Sequence, residues 1–350
     1  MKLVYLVIHA FFTQLVYTKS NTQAIIVSSS RFWNNYRHSS NALALYHVLK
    51  KHKISDIVLF LAHDYTCDCR NVEAGSQFYD LQRSLDLAGR NYPEINYISD
   101  SVNPRTFMRL IAGEHSPFLP RSMRLKTTAD PGNLLVFFTG HSGLGFMKFQ
   151  DLLELPADVL NEHFQKMARK RRFDRTLWIS DTCKAAALHD AVEIGSFHAI
   201  SSSSDSESSY AFQADTETGA LTADRFSHYS TRFLLQKLKD SPTLGEYRAV
   251  LTPDRLGSTA TVKNPEDVSL KLDDFMTGNA GEATPVKWTR LSLGNDSGSL
   301  EWVSKRISIY DKYMRPPQVV EVHVPSITIY VRIALSILLL GAFLGTISVA

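Results

Sequence analysis

Short, largely apolar runs recur through the first part of the chain, at 24–27, 57–61, 134–138, 176–180 and 197–200. Each is four or five residues long, rich in β-branched, leucine or aromatic residues, and bounded by polar or glycine residues, which is the pattern of covered strands. Between them the period lengthens to that of helices. Leu43, Tyr46, His47 and Leu49 recur at helical spacing over 41–53, where Lys50, Lys51, His52 and Lys53 close the segment and suit the helix dipole. Residues 104–113 open with a proline near the first turn, residues 156–172 place Val159, Leu160, His163, Phe164 and Met167 on one face, and residues 185–193 and 222–239 continue the series. A short edge strand is expected at 95–98. Strands alternating with helices predict an α/β fold, a mostly parallel sheet with helices on both faces. One crossover helix separates 134–138 from 176–180, so those two strands are expected to be parallel and adjacent or nearly so.

The ends break the pattern. Met1 and Lys2 precede an apolar run, 3–16, followed by small polar residues, and residues 1–19 therefore read as a secretory signal peptide, with a first buried strand or helix as the alternative. Residues 333–350 carry no charge, and 326–350 read as a transmembrane helix with Arg332 snorkelling beside Tyr330. A removable lipid-attachment tail is the competing reading. Residues 20–277 form the expected lumenal domain. In 278–325 the period fades among glycines and prolines, as in a stalk or juxtamembrane segment. Hydrophobic residues make up 44% of the 350 and charged ones 21%, with a formal charge of +3, which argues for no polyanionic partner, nucleic acid included. Cys67, Cys69 and Cys183 are an odd number for an oxidising compartment, which suggests an intermolecular bridge or a free reactive thiol. Cys67 and Cys69 lie too close for an easy mutual disulfide and too alone for zinc. Asn295 opens the sequence Asn295-Asp296-Ser297, a glycosylation sequon.

The candidate chemistry sits at two strand ends. The run 134–138 leads into Thr139-Gly140-His141-Ser142-Gly143, and 176–180 leads into Asp181-Thr182-Cys183. Carboxyl ends of parallel strands gather in one crevice, so Cys183 and His141 are candidates for a nucleophile and its base.

These blocks, with Ser30-Arg31-Phe32-Trp33-Asn34-Asn35-Tyr36-Arg37-His38 and Gly145-Phe146-Met147-Lys148-Phe149-Gln150-Asp151, resemble the catalytic subunits of GPI-anchor transamidase, in the legumain-like branch of caspase-fold cysteine peptidases. The likeness runs from about residue 21 to 277. It implies a caspase-like fold and a thiol transamidase. Cys183 would attack the precursor's attachment site to give a thioester. His141 would move the protons, Asn35 would orient His141, and the amides of Ser142 and Cys183 would form the oxyanion hole. It further implies a substrate-pocket wall over 201–209 with Ser202, Ser203 and Glu207, and a structural calcium site near Asp56 and Glu94, with Asn96 where a carboxylate is expected. No cofactor is implied for the chemistry itself. The partners implied are the other subunits of the transamidase complex, one disulfide-linked through Cys67 (Cys69 leaves that choice open), precursors with C-terminal GPI signals, and the GPI lipid. The implied place is the endoplasmic reticulum membrane, single-pass, with the catalytic domain in the lumen. Two positions depart from the family: Ser142 replaces a glycine, and Lys184 replaces a common glutamine. A membrane-tethered legumain-like endopeptidase and an inactive structural subunit are the alternative readings.

Overall fold

The computed structural model describes residues 21–278 apart from 82, 84, 85, 90, 91 and 127–130. The signal segment, Asn295, the terminal span and all but the first residue of the stalk lie outside these residues. Among the described residues, no helix is long and apolar enough to cross a membrane.

In chain order the strands are β1 Gln23–Ser28, β2 Ile57–Leu61, β3 Tyr97–Ile98, β4 Asn133–Thr139, β5 Ser142–Gly143, β6 Phe146–Phe149, β7 Leu153–Pro156, β8 Arg175–Asp181, β9 Phe197–Ser201, β10 Ala211–Ala214, β11 Leu221–Asp224 and β12 Thr261–Val262. Seven of them form one sheet in the order β12-β9-β8-β4-β1-β2-β3. Every pairing in it is parallel except β12 with β9. The chain builds outward from β1 through β2 to β3, then crosses back to lay β4, β8 and β9 on the other side. The order therefore reverses between β1 and β4, which opens a crevice at their carboxyl ends.

Alternate residues of the central strands serve two cores. Ile26, Leu135, Phe137, Leu177 and Ile179 pack with α1 (Tyr36–Lys51) on one face. Ile25, Val27, Val136, Phe138 and Trp178 pack on the other with α2 (Pro104–Ala112) and α3 (Ala157–Arg169). Short α4 (Ala186–Asp190) follows β8, and α5 (Arg225–Lys237) joins α1 on the first face. Full burial of each large side chain contributes roughly 1.5–3 kcal/mol, so the seven-residue strands β4 and β8, buried along almost their whole length, are the most firmly anchored elements of the sheet.

Several boundaries differ from the sequence reading. Helix α1 starts at Tyr36 rather than 41, because Ser39, Ser40 and Asn41 are buried and hydrogen-bonded rather than apolar, which hides the period. Residues 221–224 are strand, paired with β10, so the helix expected from 222 begins at Arg225. The small antiparallel sheet β5-β6-β7 was not expected at all; its strands are too short to show a two-residue period.

Candidate active site

Strands β4 and β8 pair in register, Thr139 opposite Asp181. His141 and Cys183 each lie two residues beyond that pair, so the sheet itself delivers them side by side. Gly140 makes the turn possible, since a Cβ there would meet Ser29 Oγ at 2.1 Å. Ser29 in turn follows β1, donates from its amide to Thr139 O (3.0 Å) and from its hydroxyl to Lys148 O (2.7 Å). The loops after β1 and β4 are thus locked together at the reversal of strand order.

The loop after β1 brings in Asn35. Trp33, Tyr36 and Tyr65 pack edge-on or tilted with centroids 5.3–6.1 Å apart, and Tyr65 donates to Phe32 O at 2.9 Å. Phe32 itself is held at φ 69°, ψ 152°, a region that costs a non-glycine residue on the order of 1–3 kcal/mol. Asn35 stands at the N-cap of α1, yet its side chain caps nothing although asparagine is among the preferred caps. Its amide is turned elsewhere. Nδ2 donates to Arg31 O (2.5 Å) and faces Asp151 Oδ2 (3.4 Å), while Oδ1 lies 2.9 Å from His141 Nε2. Because Nδ2 is occupied as donor, Oδ1 is the acceptor and His141 Nε2 carries the proton. The neutral ring then keeps its lone pair on Nδ1, as a base requires. Burial and, next, Arg37 lower the His141 pKa, partly opposed by Asp151 and Asp224.

Ser142, the family departure beside His141, does not adopt positive φ, so its side chain causes no backbone strain. Its hydroxyl contacts Thr182 Oγ1 at 2.9 Å and donates to Cys183 O. Thr182 Oγ1 also donates to Gly140 O at 3.0 Å. The two reactive loops are laced directly to each other.

Beneath Cys183 lies the serine-rich segment. Ser202 and Ser203 are fully buried, and their hydroxyls bond to the nucleophile loop. Ser202 Oγ donates to Thr182 O and accepts from Thr182 N, both at 3.1 Å. Ser203 Oγ donates to Thr182 O (2.9 Å) and accepts from Ala185 N (3.1 Å). Glu207 accepts from the Ser204 and Thr259 amides, and its carbonyl accepts from Lys184 N at 2.8 Å. The segment reaches the sulfur at Ser209, whose carbonyl is 4.0 Å from Cys183 Sγ.

Behind both reactive residues are two buried carboxyls. Asp181 accepts from Ser209 Oγ (3.0 Å), Ser227 Oγ (2.6 Å) and Ser227 N (3.1 Å). Asp224 accepts from Arg37 Nε (3.0 Å) and Asn41 Nδ2 (2.6 Å). Burial and the charge of Asp224 push the Asp181 pKa up to about 7. Burial likewise raises Asp224. Neither residue stood out in the sequence as a site residue, nor did Asp151, whose only signal was its place at the end of a block that returns to His141.

Of the residues expected near calcium, Asp56 and Glu94 both lie close enough to Lys50 to favour its charge. Asp56 Oδ1 pairs with Lys126 Nζ at 2.6 Å, and Asn96 Oδ1 is taken by the Leu59 amide at 2.7 Å. Among the described residues, no three His, Cys, Asp or Glu side chains are grouped to hold a metal ion. Cys67 and Cys69 are both exposed and form no disulfide within the chain.

With this geometry in place, comparison with known proteins is decisive. The Peptidase C13 family pattern matches residues 22–250. The chain belongs to the Peptidase C13 family. It is a cysteine-peptidase-like enzyme. Family relatives include the GPI-anchor transamidase of Homo sapiens, 37% identical over 306 residues that cover 85% of this chain and 76% of the relative. Those of Schizosaccharomyces pombe and Saccharomyces cerevisiae are each 34% identical, covering 73% of this chain and 68% and 64% of the relatives. Caspase-1 from Spodoptera frugiperda aligns over 70% of this chain and 86% of its own, with 12% identity and a TM-score of 0.41.

Proposed function

We propose that this C13 member is a thiol transamidase that attaches GPI anchors to proteins. The observation that carries the reading is the His141–Asn35 hydrogen bond, which leaves a basic ring nitrogen on the strand end beside Cys183; the relatives' names supply the reaction class. Cys183 attacks the carbonyl of the attachment-site residue, the amides of Ser142 and Cys183 receive the oxyanion, and His141 protonates the departing amine. The thioester is then opened by the ethanolamine-phosphate amine of a GPI lipid, which His141 deprotonates. Amines attack thioesters readily, which suits transfer over hydrolysis.

In this reading the chain works in the endoplasmic reticulum lumen, tethered by 326–350, glycosylated at Asn295 and joined to a larger subunit through Cys67. The test is to replace Cys183 with Ala and follow GPI-anchored proteins at the cell surface; unchanged anchoring ends the proposal. A hydrazine trap separates it from a membrane-tethered legumain-like endopeptidase, because a transamidase gives precursor hydrazide and a peptidase mostly free acid. The Ser142 backbone does not adopt positive φ, which supports reading the chain as active rather than as an inactive structural subunit.

A further inference from the structure

Asp151 lies in a turn that is expensive to build. Gln150 and Asp151 both have positive φ, 54° and 63°, consecutive left-handed residues without a glycine. Three hydrogen bonds hold the turn: Gln150 N to Ser29 O (2.6 Å), and Gln150 Nε2 to Ser99 O (2.8 Å) and Val102 O (2.7 Å). Backbone held in this way at an active site points to a constrained side chain.

The side chain it aims is a carboxylate beside His141 and its partner Asn35. Asp151 Oδ2 lies 3.4 Å from Asn35 Nδ2 and accepts from Arg31 N at 3.3 Å, and Oδ1 lies 3.8 Å from His141 Nε2. We infer that Asp151 is a positioning residue for the reaction, fixing the Asn35 amide and supplying the negative charge that stabilises the His141 imidazolium. It reaches no reacting atom itself. Flipping the Asn35 amide would present Nδ2 to the ring, reverse the tautomer and remove the base; the carboxylate reinforces Arg31 O, which already accepts from Nδ2, in opposing that flip.

The other charged or titratable groups facing His141 are Arg37 and His38 on α1, Asp224 before α5, and Lys148 on β6. Arg37 and Lys148 oppose the imidazolium, and Arg37 is already paired with Asp224 at 3.0 Å. His38, with its ring 5.0 Å from His141, is buried and held neutral by burial and Arg37. Asp151 therefore supplies the favourable charge that Arg37 does not already neutralise.

The inference rests on His141 as the proton carrier, so the readout that decides it is independent of anchoring activity. The full chain is treated with diethyl pyrocarbonate between pH 5 and 8, and carbethoxylation of His141 is followed by mass spectrometry, since only the neutral ring reacts. In Asp151→Asn, which keeps the shape and tolerates positive φ, the midpoint should move down by about one pH unit, with kcat for anchoring down about tenfold and KM little changed. If that variant does not fold, Asp151→Gly, at ease in the turn, should give the same downward shift. A folded variant whose midpoint is unchanged or raised overturns the inference. Cys183→Ala tests the function separately and leaves the His141 titration readable, so the two proposals fail by different results.

Discussion

The buried pair Asp181 and Asp224 makes a demanding prediction about stability. In the unfolded chain Asp181 ionises near its ordinary 3.8; in the folded protein burial and Asp224 raise this to about 7. Below about pH 4 both states hold the proton and the group adds nothing pH-dependent. Between about 4 and 7 the unfolded carboxyl loses its proton while the folded one keeps it, so stability falls as pH rises. Above 7 the folded carboxylate is ionised in its buried site and the loss is complete. About three pH units at 1.36 kcal/mol each give a ceiling near 4 kcal/mol, lowered in practice because the two carboxyls share their proton traffic. Asp181→Asn mimics the protonated form: Oδ1 can accept from Ser227, and Nδ2 can donate to the Ser209 hydroxyl. The variant should gain stability at pH 8, with Tm up by about 5 °C or more for a domain of this size, and the gain should vanish near pH 4. Thermal melts of both proteins across that range measure it. A variant destabilised equally at pH 8 and pH 4 would refute the reasoning, since Asp181 would then act only as a hydrogen-bond acceptor.

Three further outcomes follow from the site. Asn35→Ala removes the partner that sets the His141 tautomer and should slow anchoring roughly tenfold to a hundredfold, part of what a positioned acid–base group supplies, while the melt changes little. Gly140→Ala forces a methyl group onto Ser29 Oγ and should cost about 3 kcal/mol or more, read as a lower urea midpoint at unchanged m-value. Ser203→Ala strands the buried Ala185 amide and should cost about 1–3 kcal/mol; a neutral substitution would show that the hydroxyl is not holding the nucleophile loop.

The reactive strand ends were legible because β4 and β8 are covered on both faces, so their apolar runs stand out without any period, and because parallel pairing places their ends together. What lay hidden depends on long-range partners. Asp181 is explained by Ser227, 46 positions away, and Asp151 by Asn35, 116 positions away; nothing local marks either. Ser202 and Ser203 look like loop residues because they are polar, yet they are polar in order to satisfy Thr182 and Ala185 from below. The same logic blurred the start of α1, where Ser39, Ser40 and Asn41 are buried for their hydrogen bonds. Asn35 entered through the family likeness, and its diversion from capping is visible only in three dimensions.

The lacing of the two reactive loops has a consequence for control. Ser142 spans to Thr182 and Cys183, and Thr182 spans back to Gly140, so the proton carrier and the thiol ride on one rigid bracket. A switch that worked by pulling them apart would have to break these bonds together and expose buried backbone. Restraint of such an enzyme falls to whatever governs entry of substrate to the crevice, and an idle molecule is one kept from its substrate rather than one whose machinery is dismantled.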